Sequence, residues 1–333
     1  MNSVNILGAG AWGTALAITV ARKGNPVTLW CRTAEQAARL TGTRENAKYL
    51  PGIKLPSMIE VTADLEKAAS ATILLNVVPA QHLRENLQQL SPLLSSDTAL
   101  VICAKGLEKT SGKMMSEVTE EILPEQPFAI LSGPNFAHEV AANLPSATTL
   151  ATHSAELGKT LLAAIGQPTF RPYYTDDVIG AQMGGAVKNV LAIACGIIAG
   201  AKLGDNARAA LITRGMAEIL RLGHELGARA ETLMGLSGFG DLVLTCSSEA
   251  SRNYSLGVAL GKGQSLTEIL GSRVSVTEGV HTAAALYKLA HAHKIEMPIC
   301  AAVDKILNKG ASVTDIVEDM LARPFRDEKL AGF

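Results

Sequence analysis

At 333 residues the chain has room for about two domains and a large buried core. Its 47% hydrophobic and 18% charged content, with a formal net charge of −1, fits a soluble globular protein and argues against a chain-wide nucleic-acid or membrane surface. The start lacks the basic and apolar regions of a secretory signal, and the scattered Cys31, Cys103, Cys195, Cys246 and Cys300, with no Cys-x-x-Cys, read as free thiols of a cytoplasmic protein.

Val4, Ile6 and Leu7 read as a short apolar strand. Gly8, Gly10 and Gly13 follow as Gly-x-Gly-x-x-Gly, and a helical pattern starts at once, with Trp12, Leu16 and Val20 recurring on one face. In a dinucleotide site the three glycines serve a tight turn, close approach of backbone to pyrophosphate, and close packing of helix on strand. The helix N-terminus adds free N–H groups and the positive end of a dipole. The chain has 30 glycines, so a chance match is easy and the flanks must decide. Gly24 stands where the helix would end, and Val27–Trp30 reads as a second strand, which completes a βαβ unit of about thirty residues. A glycine turn without a ligand is the weaker reading.

Further apolar runs at 72–78, 100–104 and 128–131 each end near a breaker or a polar residue, and helical stretches fill most of the gaps. This alternation predicts a Rossmann-type, doubly wound α/β sheet of parallel strands over residues 1–180, extended by strand-like stretches at 146–151 and 169–174. Ligands gather at the carboxyl ends of such strands. Arg32, Val78-Pro79, Lys105 and Gly133-Pro134 therefore all point to one cleft. From about Gln182 the pattern turns helical, so residues 181–333 are expected to form an all-α domain that binds substrate and carries the catalytic group. Residues 190–201, between Lys188 and Lys202, read as a core helix too short to span a bilayer. Ile212, Met216, Ile219, Leu220 and Leu226 mark one face of a long helix. Residues 265–270, 279–294 and 312–321 are helical by pattern, the last with Ser312 and Asp315 as an N-terminal cap.

The cofactor is read at the end of the second strand. A carboxylate about twenty residues past the glycines would accept the ribose 2′-OH of NAD. Arg32 stands there instead, followed by Thr33. A guanidinium suits a 2′-phosphate, with Thr33 as an extra donor, so the pattern favours NADP(H) and leaves NAD(H) open as a second cofactor. The alternative is an Arg32 that stacks on adenine or lies in solvent.

Lys188, in Gly184-Gly185-Ala186-Val187-Lys188-Asn189-Val190, stands at the start of an otherwise apolar helix. It is either a side chain snorkelling from a helix end or a general acid/base, whose pKa would have to fall from about 10.4 by roughly two to three units. Lys105, facing the same cleft, is a candidate second cation. Asp241, in Gly238-Phe239-Gly240-Asp241-Leu242, is either an N-cap or the group that holds Lys188 and substrate hydroxyls. Ser251-Arg252-Asn253 is either a phosphate nest at a helix start or a cap with an exposed arginine. No metal site is expected. His291 and His293 alternate on a helix and so point to different faces, and His138-Glu139 lacks the second histidine of a metalloprotease helix. No Gly-x-Ser-x-Gly elbow and no P-loop is present, which removes support for hydrolase and kinase chemistry.

Taken together, these motifs resemble the NAD(P)-dependent glycerol-3-phosphate dehydrogenases of the bacterial type, nearly end to end. Those that carry the resemblance are Gly8-Ala-Gly-Ala-Trp-Gly-Thr-Ala, Ala104-Lys-Gly-Leu-Glu108, Ser132-Gly-Pro-Asn-Phe-Ala137, the stretch around Lys188, Asn206-Ala-Arg-Ala-Ala-Leu-Ile-Thr-Arg-Gly215, Gly240-Asp-Leu-Val-Leu-Thr-Cys246, Ser251-Arg-Asn253 and Glu278-Gly279. The resemblance implies reversible reduction of dihydroxyacetone phosphate to sn-glycerol 3-phosphate, a phospholipid precursor, by an oxidoreductase that needs no metal. It implies Lys188 as proton acceptor in the oxidative direction. Lys105, Gly133, Asn135, Asp241, Ser251, Arg252 and Asn253 carry over as substrate contacts. Ala11, Trp12, Arg32, Tyr49, Lys105, Ala137, Arg252, Val276 and Glu278 carry over as cofactor contacts, beside Gly8, Gly10, Gly13 and Thr33 read above. The sequence departs from the family at Ala11, usually serine, at Asn135, usually serine or threonine, and at Tyr49, often phenylalanine. With Ala11, only a backbone N–H can reach the pyrophosphate.

Two rival readings remain at this stage. A β-hydroxyacid or 6-phosphogluconate-type dehydrogenase also pairs a glycine fingerprint with a helical domain and a lysine, but its lysine is followed four positions on by Asn, whereas this chain has Ala192 there and Asn189 adjacent. A non-catalytic NADPH-binding sensor would keep the glycines without needing Lys188, Asp241 and Arg252. The apolar helical domain leaves room for a homodimer, and neither nucleic acid nor membrane insertion is expected.

Overall fold

The computed structural model describes residues 3–271 and 278–325. Val276, expected at the cofactor, lies outside the described residues. The chain divides into two compact units, Met1–Lys105 with Met115–Ala181, and Gly106–Met114 with Gln182–Phe333. The segment Gly106–Met114 thus groups with the later part of the chain.

The first unit is an eight-stranded sheet, made of β1 (Val4–Leu7), β2 (Val27–Trp30), β3 (Ile59–Thr62), β4 (Ile73–Asn76), β5 (Ala99–Ile102), β6 (Phe128–Ser132), β7 (Ser146–Ala151) and β8 (Phe170–Thr175). Its spatial order is β3-β2-β1-β4-β5-β6-β7-β8. The order reverses between β1 and β4, so the carboxyl end of β1, where Gly8 begins the turn, lies at the topological switch point at which such sheets bind ligands. Strands β1 to β6 pair in parallel. The all-parallel expectation fails at β7, which runs antiparallel to β6, while β8 returns parallel to β7. Of the residues 133–145 that join β6 to β7, only Ala137–Ala141 are helical, and one turn of helix is too short to carry the chain back along the strand for a parallel return. The sequence reading also passed over β3, whose four residues include Glu60.

Alternate residues of the central strands feed two cores. Ile6, Leu29, Leu75 and Val101 pack on one face of the sheet, whereas Leu7, Leu74, Leu100 and Ile102 pack on the other. Helix Ala11–Ala21 is buried from Gly13 to its end rather than along one stripe. A helix wedged between sheet and neighbouring helices presents apolar residues all round, which is why the spacing of Trp12, Leu16 and Val20 understated it.

The second unit is helical. Helix Val178–Gly200 runs 23 residues, far beyond the 190–201 stretch read from sequence. It is long and apolar enough to cross a bilayer, but 94% of its apolar window is buried inside the protein, as expected of a core helix. Helix Asp205–Glu225 buries Met216, Ile219 and Leu220. It also buries Glu218, whose carboxylate accepts from Ile299 N (2.7 Å) and Cys300 N (3.2 Å) at the start of helix Pro298–Asn308. A negative charge suits that helix end, while burial pushes the Glu218 carboxyl above its usual range. Shorter helices Leu266–Gly271, Glu278–Ala292 and Val313–Leu321 complete the pattern, the last capped by Ser312, whose hydroxyl accepts from Asp315 N (3.1 Å).

Candidate active site

In the first unit the fingerprint forms a compact turn. Gly8 has φ +106°, in the region that glycine alone enters freely. A Cβ at Gly13 would stand 1.8 Å from Gly8 O, so helix and strand meet backbone to backbone. Gly10 is the opposite case. It is exposed, a Cβ there meets nothing within 4 Å, and it caps helix Ala11–Ala21 with no side-chain bond. The first N–H groups of that helix, from Ala11 and Trp12, have no acceptor within the helix and lie at its positive dipole end. The turn fits a pyrophosphate, and Ala11 offers it only its backbone. Among the described residues no group of three or more histidine, cysteine or carboxylate side chains is placed to hold a metal ion.

Arg32 and Thr33 follow β2 and are exposed. The Thr33 hydroxyl accepts from Gln36 N (3.2 Å) and caps helix Ala34–Thr43, and its proton can still be donated elsewhere. Tyr49 is half-buried with the Lys48 ammonium 5.1 Å from its ring centre. Lys105, past the end of β5, donates to Gly133 O past the end of β6 (2.8 Å), which brings these two predicted residues together. Asn135 donates to Ala147 O (2.9 Å) and Pro134 O (3.0 Å) through its amide nitrogen. Ala137 opens helix Ala137–Ala141.

The second unit holds the central ion pair. Lys188 stands in the middle of helix Val178–Gly200, not at its start, so snorkelling from a helix end does not explain it. The helix runs on through Gly184 and Gly185, and at Gly184 another backbone packs where a side chain would be. A Cβ at Gly184 would stand 2.5 Å from Gly238 Cα. The Lys188 ammonium donates to Asp241 Oδ1 (2.6 Å) and to Thr245 Oγ1 (2.9 Å), with side-chain exposures of 9% for Lys188 and 1% for Asp241. Asp241 is the first residue of helix Asp241–Cys246, and Gly240 holds the cap position, so its carboxylate points at Lys188 rather than capping its own helix. Thr245, one turn further along, also approaches Asp241 Oδ1 (3.3 Å). Sequence reading missed Thr245, although Asp241-x-x-x-Thr245 is the spacing that puts two side chains on one helix face. The adjoining Cys246 thiol is held above its usual range, first by the neighbouring Cys195 thiol and then by burial, and stays neutral beside the ion pair.

Ser251 is a cap. Its hydroxyl accepts from Tyr254 N (3.2 Å) at the start of helix Arg252–Gly261, and it is buried. Arg252 is exposed at that start. Asn253 turns inward, donating to Asn189 Oδ1 (2.9 Å) and accepting from Gly279 N (3.1 Å). These bonds tie the helix that carries Lys188 to helices Arg252–Gly261 and Glu278–Ala292, with Glu278 half-buried at the start of the last. The tripeptide therefore forms a cap with an inward amide, and Arg252 is its exposed cation. Asn189, the partner of Asn253, was also missed by sequence reading.

Comparison with known proteins gives a consistent set of matches. The family model described as NAD-dependent glycerol-3-phosphate dehydrogenase N-terminus matches residues 3–158, and the corresponding C-terminus model matches residues 177–318. The glycerol-3-phosphate dehydrogenase (NAD(P)+) of Parvibaculum lavamentivorans is 54% identical over 325 residues, covering 98% of each chain. That of Rhodospirillum rubrum is 54% identical over 329 residues, covering 98% of this chain and 94% of its own. Among solved structures, glycerol-3-phosphate dehydrogenase from Coxiella burnetii superimposes with a TM-score of 0.93 at 40% identity, covering 97% of this chain and 99% of that one.

Proposed function

Because this chain belongs to the NAD-dependent glycerol-3-phosphate dehydrogenase family, we propose that Lys188 is the proton-transfer group of its reaction and that Asp241 and Thr245 hold it in place. The protein is an NAD(P)-dependent oxidoreductase that interconverts dihydroxyacetone phosphate and sn-glycerol 3-phosphate. The observation that carries the proposed role is the buried Lys188–Asp241 pair. An ammonium this deep persists only with a counter-charge and hydrogen-bond acceptors, and the pair supplies both.

NADP(H), or NAD(H), supplies or accepts the hydride at the substrate's C2 carbon when it is bound. In the oxidative direction Lys188 first releases a proton to solvent, and the neutral amine then takes the proton from the C2 hydroxyl as the hydride leaves C2. In the reductive direction its ammonium polarises the carbonyl while negative charge grows on the oxygen, then protonates it. Asp241 fixes the ammonium's direction and balances its charge throughout. Arg252 is the cation for the substrate phosphate, holding it away from the reacting carbon. Asn253 supports that end of the site through Asn189 and the Gly279 N–H, and Ser251 fixes the helix start. In the first unit, Lys105 with Gly133 and Asn135 offers further substrate contacts. The cofactor is held by the Gly8–Gly10–Gly13 turn with Ala11 and Trp12, by Arg32 and Thr33 at the adenine ribose, and by Tyr49 and Ala137. Glu278 is a further cofactor contact in this reading. The protein is cytoplasmic in this reading, in keeping with five buried free thiols, works as a homodimer, and provides glycerol 3-phosphate for phospholipid synthesis.

Initial rates of NADPH oxidation with dihydroxyacetone phosphate, set beside a panel of carbonyl acids, test the substrate, and a faster rate on any panel member would overturn it. Arg32→Ala is expected to raise the KM for NADPH about tenfold or more and leave that for NADH within about threefold, since a guanidinium–phosphate contact is worth roughly 1.5–3 kcal/mol. An unchanged cofactor ratio would show that Arg32 does not read the 2′-phosphate.

A further inference from the structure

Lys188 and Asp241 lie on different helices, and neither helix alone sets the 2.6 Å between them. About one turn before each residue the two backbones touch. A Cβ at Gly184 would stand 2.5 Å from both Gly238 Cα and Ser237 O, and 2.8 Å from Gly238 N. Gly184 precedes Lys188 by one helical turn, so both face the same side of their helix. Gly238 lies in a π turn, Leu236–Gly240, that runs directly into helix Asp241–Cys246. The π turn is closed by the bond from Gly240 N to Gly235 O (3.0 Å). It cannot retreat, because a Cβ at Gly238 would meet Leu233 O at 1.8 Å, so the far side of Gly238 is also backbone. The extra residue of a π turn rotates everything after it by about 100° relative to a regular helix, and here that rotation ends with the Asp241 carboxylate on Lys188.

We propose that the backbone contact of Gly184 with Gly238, backed by the π turn, is the device that fixes the Lys188–Asp241 spacing and so tunes proton transfer. Gly184 and Gly238 are then positioning residues that touch neither substrate nor cofactor. The inference rests on the assignment of Lys188 as the proton-transfer group. Carbon atoms in contact sit about 3.5–4.0 Å apart, so one methyl group at Gly184 forces the two elements apart by about 1 Å. Close-packed interiors pass such a displacement on rather than absorb it. The ion pair would then open to about 3.6 Å, beyond hydrogen-bond range.

The experiment measures glycerol 3-phosphate oxidation by the full-length protein across pH, with NADPH affinity measured by fluorescence. Gly184→Ala is expected to lower kcat about 100-fold, the scale of a 1 Å misplacement, with KM and NADPH Kd within about threefold of the parent. Its rising pH limb should move about half a unit or more to lower pH, because an ammonium with a weaker counter-charge releases its proton earlier. Asp241→Glu in the parent should lose about tenfold or more, since a fixed gap cannot admit another methylene. In the Gly184→Ala background the same change should restore rate, because the longer carboxylate spans the widened gap. Gly196→Ala is the packing control. A Cβ there would meet Tyr254 O at 2.1 Å, two turns beyond Lys188 on the same helix, so it should lower the melting temperature without moving the limb.

An unmoved limb in Gly184→Ala, or an Asp241→Glu variant within about threefold of the parent, would overturn the inference. So would losses that simply multiply in the double variant. Should Gly184→Ala fail to fold, the Asp241→Glu result decides alone. Substantial turnover in Lys188→Ala would instead overturn the proposed function, while an unmoved limb beside a dead Lys188→Ala removes only the positioning role.

Discussion

Lys188→Ala is expected to abolish turnover, with kcat falling about a thousandfold or more in both directions, while NADPH binds within about threefold of the parent. General acid–base catalysis contributes about a hundred- to ten-thousandfold. An ammonium aimed at a developing oxyanion adds an electrostatic share of similar size. Both are lost together, because the one ammonium held by Asp241 Oδ1 and Thr245 Oγ1 is assigned both roles. Lys188 lies in the second unit, so a parental melting temperature and helical circular-dichroism signal separate a dead enzyme from an unfolded one. Single-turnover rates and a fluorescence titration on the same preparation check it, and retention of a tenth of the parental kcat would end the proton-transfer role.

Asp241→Ala is expected to cost about 3–5 kcal/mol of stability near neutral pH, together with a loss of about a hundredfold in kcat. The stability term comes from leaving a buried charge without its partner. With the side chains of Lys188 and Asp241 9% and 1% exposed, bulk water does little to screen the stranded ammonium. The sign with pH follows from the same cause. In the variant the folded state favours neutral lysine and the unfolded chain still binds the proton, so the unfolded state holds more protons and stability rises with pH. The parent, whose ammonium keeps its counter-charge, should not gain in that way. Urea unfolding at several pH values measures both, and a variant equally destabilised from acid to alkaline pH would show that the loss is packing alone.

Much of the first unit is legible in the chain because its signals are local. Gly8, Gly10 and Gly13 lie within one turn, and β1 and β2 flank them at the spacing of a βαβ unit. Arg32 is found by counting from the glycines. The antiparallel β7 is not legible in the same way, since strand direction depends on how much chain returns between strands and on which edge is open. In the second unit the residue types were visible and their relations were not. Lys188 and Asp241 are 53 residues apart in sequence and 2.6 Å apart in space. Asn189, Thr245 and Gly279 became meaningful only once their partners were known.

The sequence by itself determined the alternation of strands and helices in the first unit apart from β3, the glycine turn after β1, the helical character of the second unit and the family. These follow from periodicity and short motifs, whose energetics act over a few residues. The tertiary structure decided that helix Val178–Gly200 runs unbroken through Gly184 and Gly185, and that Asp241 faces a lysine rather than its own helix start. A glycine costs a helix only about 1 kcal/mol. A close backbone contact that only glycine permits can outweigh that cost, and no local pattern records which backbone will arrive to make it.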